Sequence, residues 1–322
     1  MKVQEALRVL NNWRAAHSFP LNTLQNGLRT KAAGVCKGPI VSQRLKRTPS
    51  TIAKLRRFPG MQLARMQDIG GCRAVVDTVA QVEGLQAAHL KSSMKHRLVH
   101  QKNYVLDPKD SGYRGIHLVY RYRSDKKETY NGLLIEVQLR SRLQHAWATA
   151  VETAGAFLGQ ALKSSEGEAD WLRFFSLASS VFAIREDHPV VPNTTADHKA
   201  LRDEIREYGR QLRVVERMHE YRNLIKHIPG WKNRIGGHYF LLERRPDEGR
   251  TYIRPYPRRE LDQATEDYKT MEARVAETDG ADAVLVSVNS ISALRRAYPN
   301  YWLDTDVFLE ELGPILGDPP ST

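Results

Sequence analysis

Cysteine is nearly missing: Cys36 and Cys72 are the only two in 322 residues, so no disulfide framework can staple the chain. No Cys/His cluster has the spacing of a zinc site either, so any bound metal falls to carboxylates. No apolar run approaches the roughly 18 residues that span a bilayer. The N-terminal MKVQEALRVLNNWRAAHSF also lacks the unbroken apolar core of a signal peptide. The expectation is a cytoplasmic protein with no membrane partner. Acid is absent over a long stretch: between Ala6 and Gln67 there is no Asp or Glu, while twelve Lys and Arg fall there. A second acid-free stretch runs from Gly84 to Leu106. Within a formal net charge of +12, this distribution predicts a positive field over the N-terminal third that attracts phosphates.

What is present is ordinary globular material, 41% hydrophobic, long enough for one large domain or two modest ones. Apolar spacing predicts helices over 3–15 and 21–32, and a short helix after Thr48-Pro49 with Ser50 as its cap. CRAVV, IHLVYRYR and LLIEVQL read as strands. The residues 80–95 read as a helix, and YVLDPKDSGYRG as a loop. A helix, SRLQHAWATAVETAGAFL, follows the last strand directly. Leu201, Ile205, Tyr208, Leu212, Val215 and Met218 predict one amphipathic helix over about 196–227. Beyond Pro229-Gly230, HYFLLERR and TYIRPYP read as a hairpin, REL to VAE as a helix and DAVLVSV as a strand. The fold class expected is mixed α/β (α+β), with a boundary near 228 between domains 1–228 and 229–322.

Three blocks carry chemistry. Asp68 ends the acid-free region, and Arg73 follows five residues later on a strand; a lone carboxylate in a basic field suits Mg²⁺, which takes one or two carboxylates plus phosphate oxygens. KNYVLDPKDSGYRGIH gathers Lys102, Lys109, Tyr113, Arg114 and His117 around a glycine-flanked loop, with donors for phosphates and an aromatic face for a base. Glu136, Gln138 and Arg140 alternate on one strand and so share a face. Three polar groups there are costly to bury without a purpose. Each also has a plain structural reading: Asp68 as a helix cap, Tyr113 as turn packing, Trp147 and Phe157 as core.

DIGGCRAVV, NYVLDPKDSGYRGIHLVY and LLIEVQLRSRLQHAWA resemble, in order and spacing, the synthetase motifs of the RelA/SpoT family over roughly residues 40–160. The resemblance implies a nucleotidyltransferase-like mixed sheet flanked by helices. It also implies a reaction that moves the β,γ-pyrophosphate of ATP to a 3′-hydroxyl and releases AMP. It assigns Asp68 and Glu136 to Mg²⁺ and catalysis, Arg44 and Arg73 to the adenine, and Lys46 and Lys54 to the ATP phosphates. Tyr113, His117 and Gln138 go to the acceptor, with Lys102, Arg140 and His145 in support.

The tail extends the resemblance. Tyr298-Pro299-Asn300-Tyr301, with DAVLVSV before it and LDTDVFLEEL after it, is similar to the end of the CapRel fused toxin–antitoxins. The residues 229–289, which contain no cysteine, would be a pseudo-zinc-finger module without zinc, followed by terminal helices over about 290–313. This implies pyrophosphorylation of the tRNA 3′ CCA end by a monomer that blocks translation. It further implies inhibition by Tyr298 and Tyr301 in the ATP pocket, and release by a phage major capsid protein. The basic N-terminal field favours tRNA, which presents many phosphates. The alternative is a small alarmone synthetase acting on GDP or GTP.

Overall fold

The computed structural model describes residues 2–158, 162, 167–224, 238–245, 248, 250–275, 281–288, 294, 296–297 and 305–317. Two helices open the chain, α1 (Lys2–Ala16) and α2 (Ser18–Val35). Leu21, Leu24, Leu28 and Ala32 recur on one side of α2 and are buried, the apolar stripe that packs a helix on a sheet. Helix α3 (Thr48–Arg57) starts at Thr48, with Pro49 in its first turn and Arg47 as N-cap, so Ser50 lies inside the helix and is not its cap. Thr78 and Gln81 form a capping box that starts α4 (Val79–Leu90).

Among the described residues eight strands form one sheet: β1 (Ile40–Leu45), β2 (Gly70–Val76), β3 (Arg97–Asn103), β4 (Ile116–Arg121), β5 (Leu134–Ser141), β6 (Tyr239–Arg245), β7 (Arg250–Tyr256) and β8 (Asp282–Ser287). Their spatial order is β3-β4-β5-β2-β1-β8-β6-β7. The pair β2–β5 is parallel and the other described pairs are antiparallel, so the sheet is mixed, as expected. Ile135, Val137 and Leu139 pack with α2 and α4 on one face, which turns Glu136, Gln138 and Arg140 to the other.

Strands β1 and β3 are additional to the sequence reading. The C-terminal strands continue the same sheet: β8 pairs with β1 through Gln43↔Ser287 and Arg44↔Val286. Helix α9 (Leu261–Val275) covers β6 and β8 with Ala264, Tyr268 and Val275. The expected boundary near 228 lies outside the described residues.

The single helix expected over 196–227 is two, α7 (His198–Gln211) and α8 (Val214–Leu224). They are separated where Arg213 adopts φ 50°, a left-handed conformation that ends a helix. These, with α5 (Arg142–Leu158), α6 (Ala169–Arg185) and the last helix, α10 (Asp306–Leu316), enclose a second core. Phe308 of α10 is fully buried, its ring 5.8 Å from Phe182, 6.1 Å from Phe175 and 6.5 Å from Phe174. Phe308→Ala is expected to cost about 3–5 kcal/mol, read as a lowered urea midpoint in a transition that CD and tryptophan fluorescence report together.

Candidate active site

A cleft on the sheet is lined from β1, β2 and β5 and the residues beside them by Ser42, Arg44, Lys46, Asp68, Gly71, Cys72, Arg73, Glu136, Gln138 and Arg140. Register explains the gathering. Cross-strand partners share a face, and Ser42, Arg73, Gln138, His117 and Lys102 are successive partners from β1 through β2, β5 and β4 to β3. The next row holds Arg44, Gly71 and Glu136. At Gly71 the nearest atom to a would-be Cβ is a Glu136 carboxylate oxygen at 4.0 Å, so the carboxylate sits over bare backbone.

The two acids are held differently. Asp68 accepts from Lys46 Nζ at 2.9 Å on one oxygen and from Lys54 Nζ at 3.0 Å on the other. Burial alone would raise its pKa; the two ammonium groups outweigh burial and hold it below the usual carboxylate range. Glu136 accepts from His117 Nδ1 at 2.8 Å and from Gln138 Nε2 at 2.7 Å. Burial again pushes upward, but the hydrogen bond and charge of His117 lower the pKa despite the nearby Asp68. Asp68 therefore lies within electrostatic reach of Glu136, on the same cleft. Two carboxylates here, with cations for phosphates around them, fit Mg²⁺ brought in with a nucleotide. Among the described residues no group of three or more ligating side chains could form a protein-only cage. Arg140 is buried, and its Nε and Nη1 have no hydrogen-bond partner; phosphate or ribose oxygens would satisfy them.

On the other side of Glu136 the polar chain continues. The Tyr113 hydroxyl meets His117 Nε2, and Arg140 Nη2 donates to that hydroxyl at 3.1 Å and to Gln138 Oε1 at 3.2 Å. Arg140 Cζ lies 5.1 Å from the Tyr113 ring centre, and Trp147 meets that ring edge-on. Tyr113 is therefore 5% exposed; its ring is part of the wall, with the hydroxyl ordering His117 and Arg140. Tyr104 is the more accessible ring beside it, with Lys109 Nζ at 4.4 Å and the exposed Lys102 at 5.9 Å. The sequence reading gave neither Tyr104 nor Ser42 a role in the site. Reading β1 as a strand would have put Ser42, Arg44 and Lys46 on one face.

His145 and Arg73 meet the C-terminal region. His145 Nε2 lies 3.1 Å from the Arg296 carbonyl oxygen, and an Arg73 N–H donates to the Ala297 carbonyl. Burial, with Arg73 and Arg140 nearby, holds the His145 pKa well below the ordinary value, so the ring is neutral and Nε2–H donates. Tyr298 and Tyr301 lie outside the described residues.

Residues 43–156 match the family model described as "Region found in RelA / SpoT proteins". Over 111 residues the chain is 32% identical to the GTP pyrophosphokinase YjbM of Bacillus subtilis (strain 168), covering 34% of this chain and 52% of that protein. Over 129 residues it is 29% identical to the uncharacterized protein Rv1366 of Mycobacterium tuberculosis, covering 39% of this chain and 43% of that protein. The chain thus spans about half the length of the curated relatives it matches. It is also similar to the small alarmone synthetase 1 of Bacillus subtilis bound to its product pppGpp. That likeness has 22% identity and a TM-score of 0.42, covering 70% of this chain and 100% of that one.

The His117–Glu136 pair sets a pH window. Burial disfavours the His117 cation, but Tyr113 and Glu136 outweigh it and push its pKa up to about 9. A raised pKa stabilises the fold fully below the unfolded value, 6.5, and that contribution is lost as pH rises through about 9. The lowered Glu136 pKa acts oppositely: its contribution is present above the ordinary carboxylate value of 4.5 and is lost as pH falls through the lower folded one. NMR should find one imidazole titrating near pH 9 that is absent in His117→Gln. The melting temperature of the wild type should fall more steeply than that of the variant between pH 7 and 10.

Proposed function

We propose that this chain is an ATP-dependent pyrophosphokinase. The carrying observation is the cleft itself: Asp68 and Glu136 face one sheet surface together with Arg44, Lys46, Arg73 and Arg140. Lys54 joins them through Asp68. That combination suits a polyphosphate held by cations and a metal. The match of residues 43–156 covers the same residues.

In this reading Lys46 and Lys54 take the phosphates, Arg44 and Arg73 flank the adenine, and Asp68 and Glu136 would hold Mg²⁺, which would supply charge neutralisation on the transferring group. The acceptor hydroxyl oxygen bonds to the β-phosphorus as the bond from that phosphorus to the α–β bridging oxygen breaks. AMP departs with the bridging oxygen, and the hydroxyl proton passes to solvent. Glu136, with a lowered pKa and two hydrogen bonds already made, is a weak base. Its part is to hold metal and orient the hydroxyl, which is sufficient where alignment and charge carry most of the barrier reduction.

For the acceptor we favour the 3′ end of tRNA. Arg8, Lys37, Arg44, Arg56, Arg57 and Arg65 of the acid-free stretch are exposed, a surface suited to many phosphates. GDP or GTP is the second reading, favoured by the name of the Bacillus relative. Inhibition by the C-terminal region, relieved by a phage capsid protein, belongs to the same proposal. Its support is that the residues just before Tyr298 already engage Arg73 and His145.

Incubation of the Tyr298→Ala/Tyr301→Ala chain, freed of the proposed inhibition, with γ-labelled ATP should label deacylated tRNA; label in GDP or GTP instead would select the second reading, and label in neither would reject the enzyme. Glu136→Gln, which also gives up the ion pair with His117, should lower transfer by roughly 10²–10³-fold even at temperatures where CD shows the variant fully folded. Tyr298→Ala/Tyr301→Ala should raise basal transfer and make expression toxic in cells, and a variant as silent as the wild type would remove the inhibitory role.

A further inference from the structure

Arg14 of α1 is 2% exposed and its partner Glu272 of α9 is 6% exposed; charges so deeply placed require full pairing. Arg14 Nη1 and Nη2 donate to the two Glu272 oxygens at 2.8 and 3.2 Å, and Nη2 also donates to Tyr268 at 2.8 Å. Arg14 Nη1 also donates to Asn11 at 3.0 Å and Tyr268 donates to Glu272 at 2.9 Å; further bonds of the pair end on one short segment, from the end of β1 to the first residue of α3. Arg14 Nε donates to the Lys46 carbonyl at 2.7 Å. The Thr48 amide donates to Glu272 at 2.7 Å, and its hydroxyl donates to the other carboxylate oxygen at 2.9 Å. From the opposite side the Lys46 amide donates to the Ile69 carbonyl at 2.8 Å, beside Asp68. Residue 47, between the clamped positions, forms its own ion pair with Asp282 of β8.

The segment so clamped carries Lys46 and begins the helix that carries Lys54, the two cations on Asp68. We infer that Arg14 and Glu272 are positioning residues for the donor site: they hold the backbone from Lys46 to Thr48 so that both lysines reach the polyphosphate of a nucleoside triphosphate together. The inference rests on the donor-site reading above and adds to it a requirement for α9, more than two hundred residues away in sequence. Neither residue lines the cleft, so the effect passes through backbone. A pair that served stability alone would not need its bonds to end on this segment.

The test measures the Kd of a non-hydrolysable ATP analogue with Mg²⁺ by calorimetry, and the urea midpoint, on the full chain. Three proteins are compared: wild type, Glu272→Gln, and Arg14→Met/Glu272→Met. An apolar pair of similar volume can replace a buried ion pair without loss of stability, but it cannot bond the Lys46 carbonyl or the Thr48 amide. Glu272→Gln is expected to weaken binding on the order of tenfold, since small misplacements of binding groups are costly. The double variant should regain part of the midpoint lost in Glu272→Gln while its Kd stays raised by a similar factor. Recovery of affinity together with stability would overturn the inference, as would an unchanged Kd in folded Glu272→Gln, which decides alone if the double variant does not fold. Failure of both the wild type and Tyr298→Ala/Tyr301→Ala to bind the analogue would instead reject the donor-site reading, and this inference with it.

Discussion

Strand β1 is held on both edges, by β2 over its whole length and by β8 at Gln43 and Arg44, and the rest of the architecture depends on that double registration. A central strand must satisfy its backbone groups on both sides, so β1 fixes where the N-terminal and C-terminal parts of the sheet meet. Its side chains then have no freedom of assignment. Ser42 and Arg44 face the cleft, while Gln43 points to α2 and donates to Asn22 at 2.6 Å. A one-residue slip would exchange these faces and remove Arg44 from the cleft. The residue that follows the strand by one place, Lys46, inherits the same registration.

The two acids of the cleft are already paired. A half-buried carboxylate without partners would neutralise itself by taking up a proton. Two lysines on Asp68, and His117 on Glu136, keep both acids ionised. A bound metal–nucleotide would exchange these partners: lysines move from carboxylate to phosphate while the carboxylates move to metal. The net cost is small because each charge leaves one opposite charge for another. Arg140 differs, since part of its guanidinium has no partner to leave, and a ligand oxygen there adds a bond without breaking one.

Much of the site was legible before any coordinates, and the reasons are local. LLIEVQL alternates cleanly, so the shared face of Glu136, Gln138 and Arg140 follows from strand periodicity, and their hydrogen-bond chain agrees with it. Trp147 reads as core and is buried. The family resemblance assigned Asp68 to metal and Lys46 and Lys54 to phosphates, and in the fold both ammonium groups rest on the Asp68 carboxylate. What was not legible depends on partners distant in sequence. IVSQRL and RLVHQKN carry too many polar residues to look like strands, and they become strands because neighbours supply the ladder. The break between α7 and α8 has neither glycine nor proline to announce it; Arg213 takes the left-handed conformation instead. The burial of Tyr113 comes from Arg140 and Trp147 closing over it, which spacing along the loop cannot express.

The acid-free stretch shows most clearly how charge read along a chain differs from charge read in space. Counted along the sequence, Ala6 to Gln67 is a uniform basic field. In the fold, Arg14 is buried against Glu272, and Arg47 is paired with Asp282. Both acids come from the C-terminal region, so its presence removes two positive charges from the apparent field and uses them to join the two ends of the chain. Breaking the buried Arg14–Glu272 pair by deleting one partner costs about 3–5 kcal/mol, whereas the exposed Arg56 and Arg65 are worth little to stability and lie where phosphate can reach them. The stretch therefore divides into cations committed to architecture, cations committed to the Asp68 cleft, and a smaller exposed set. Only that last set can contribute counterion release on binding a nucleic acid, so the salt dependence of any such binding should follow the exposed cations and not the sequence total.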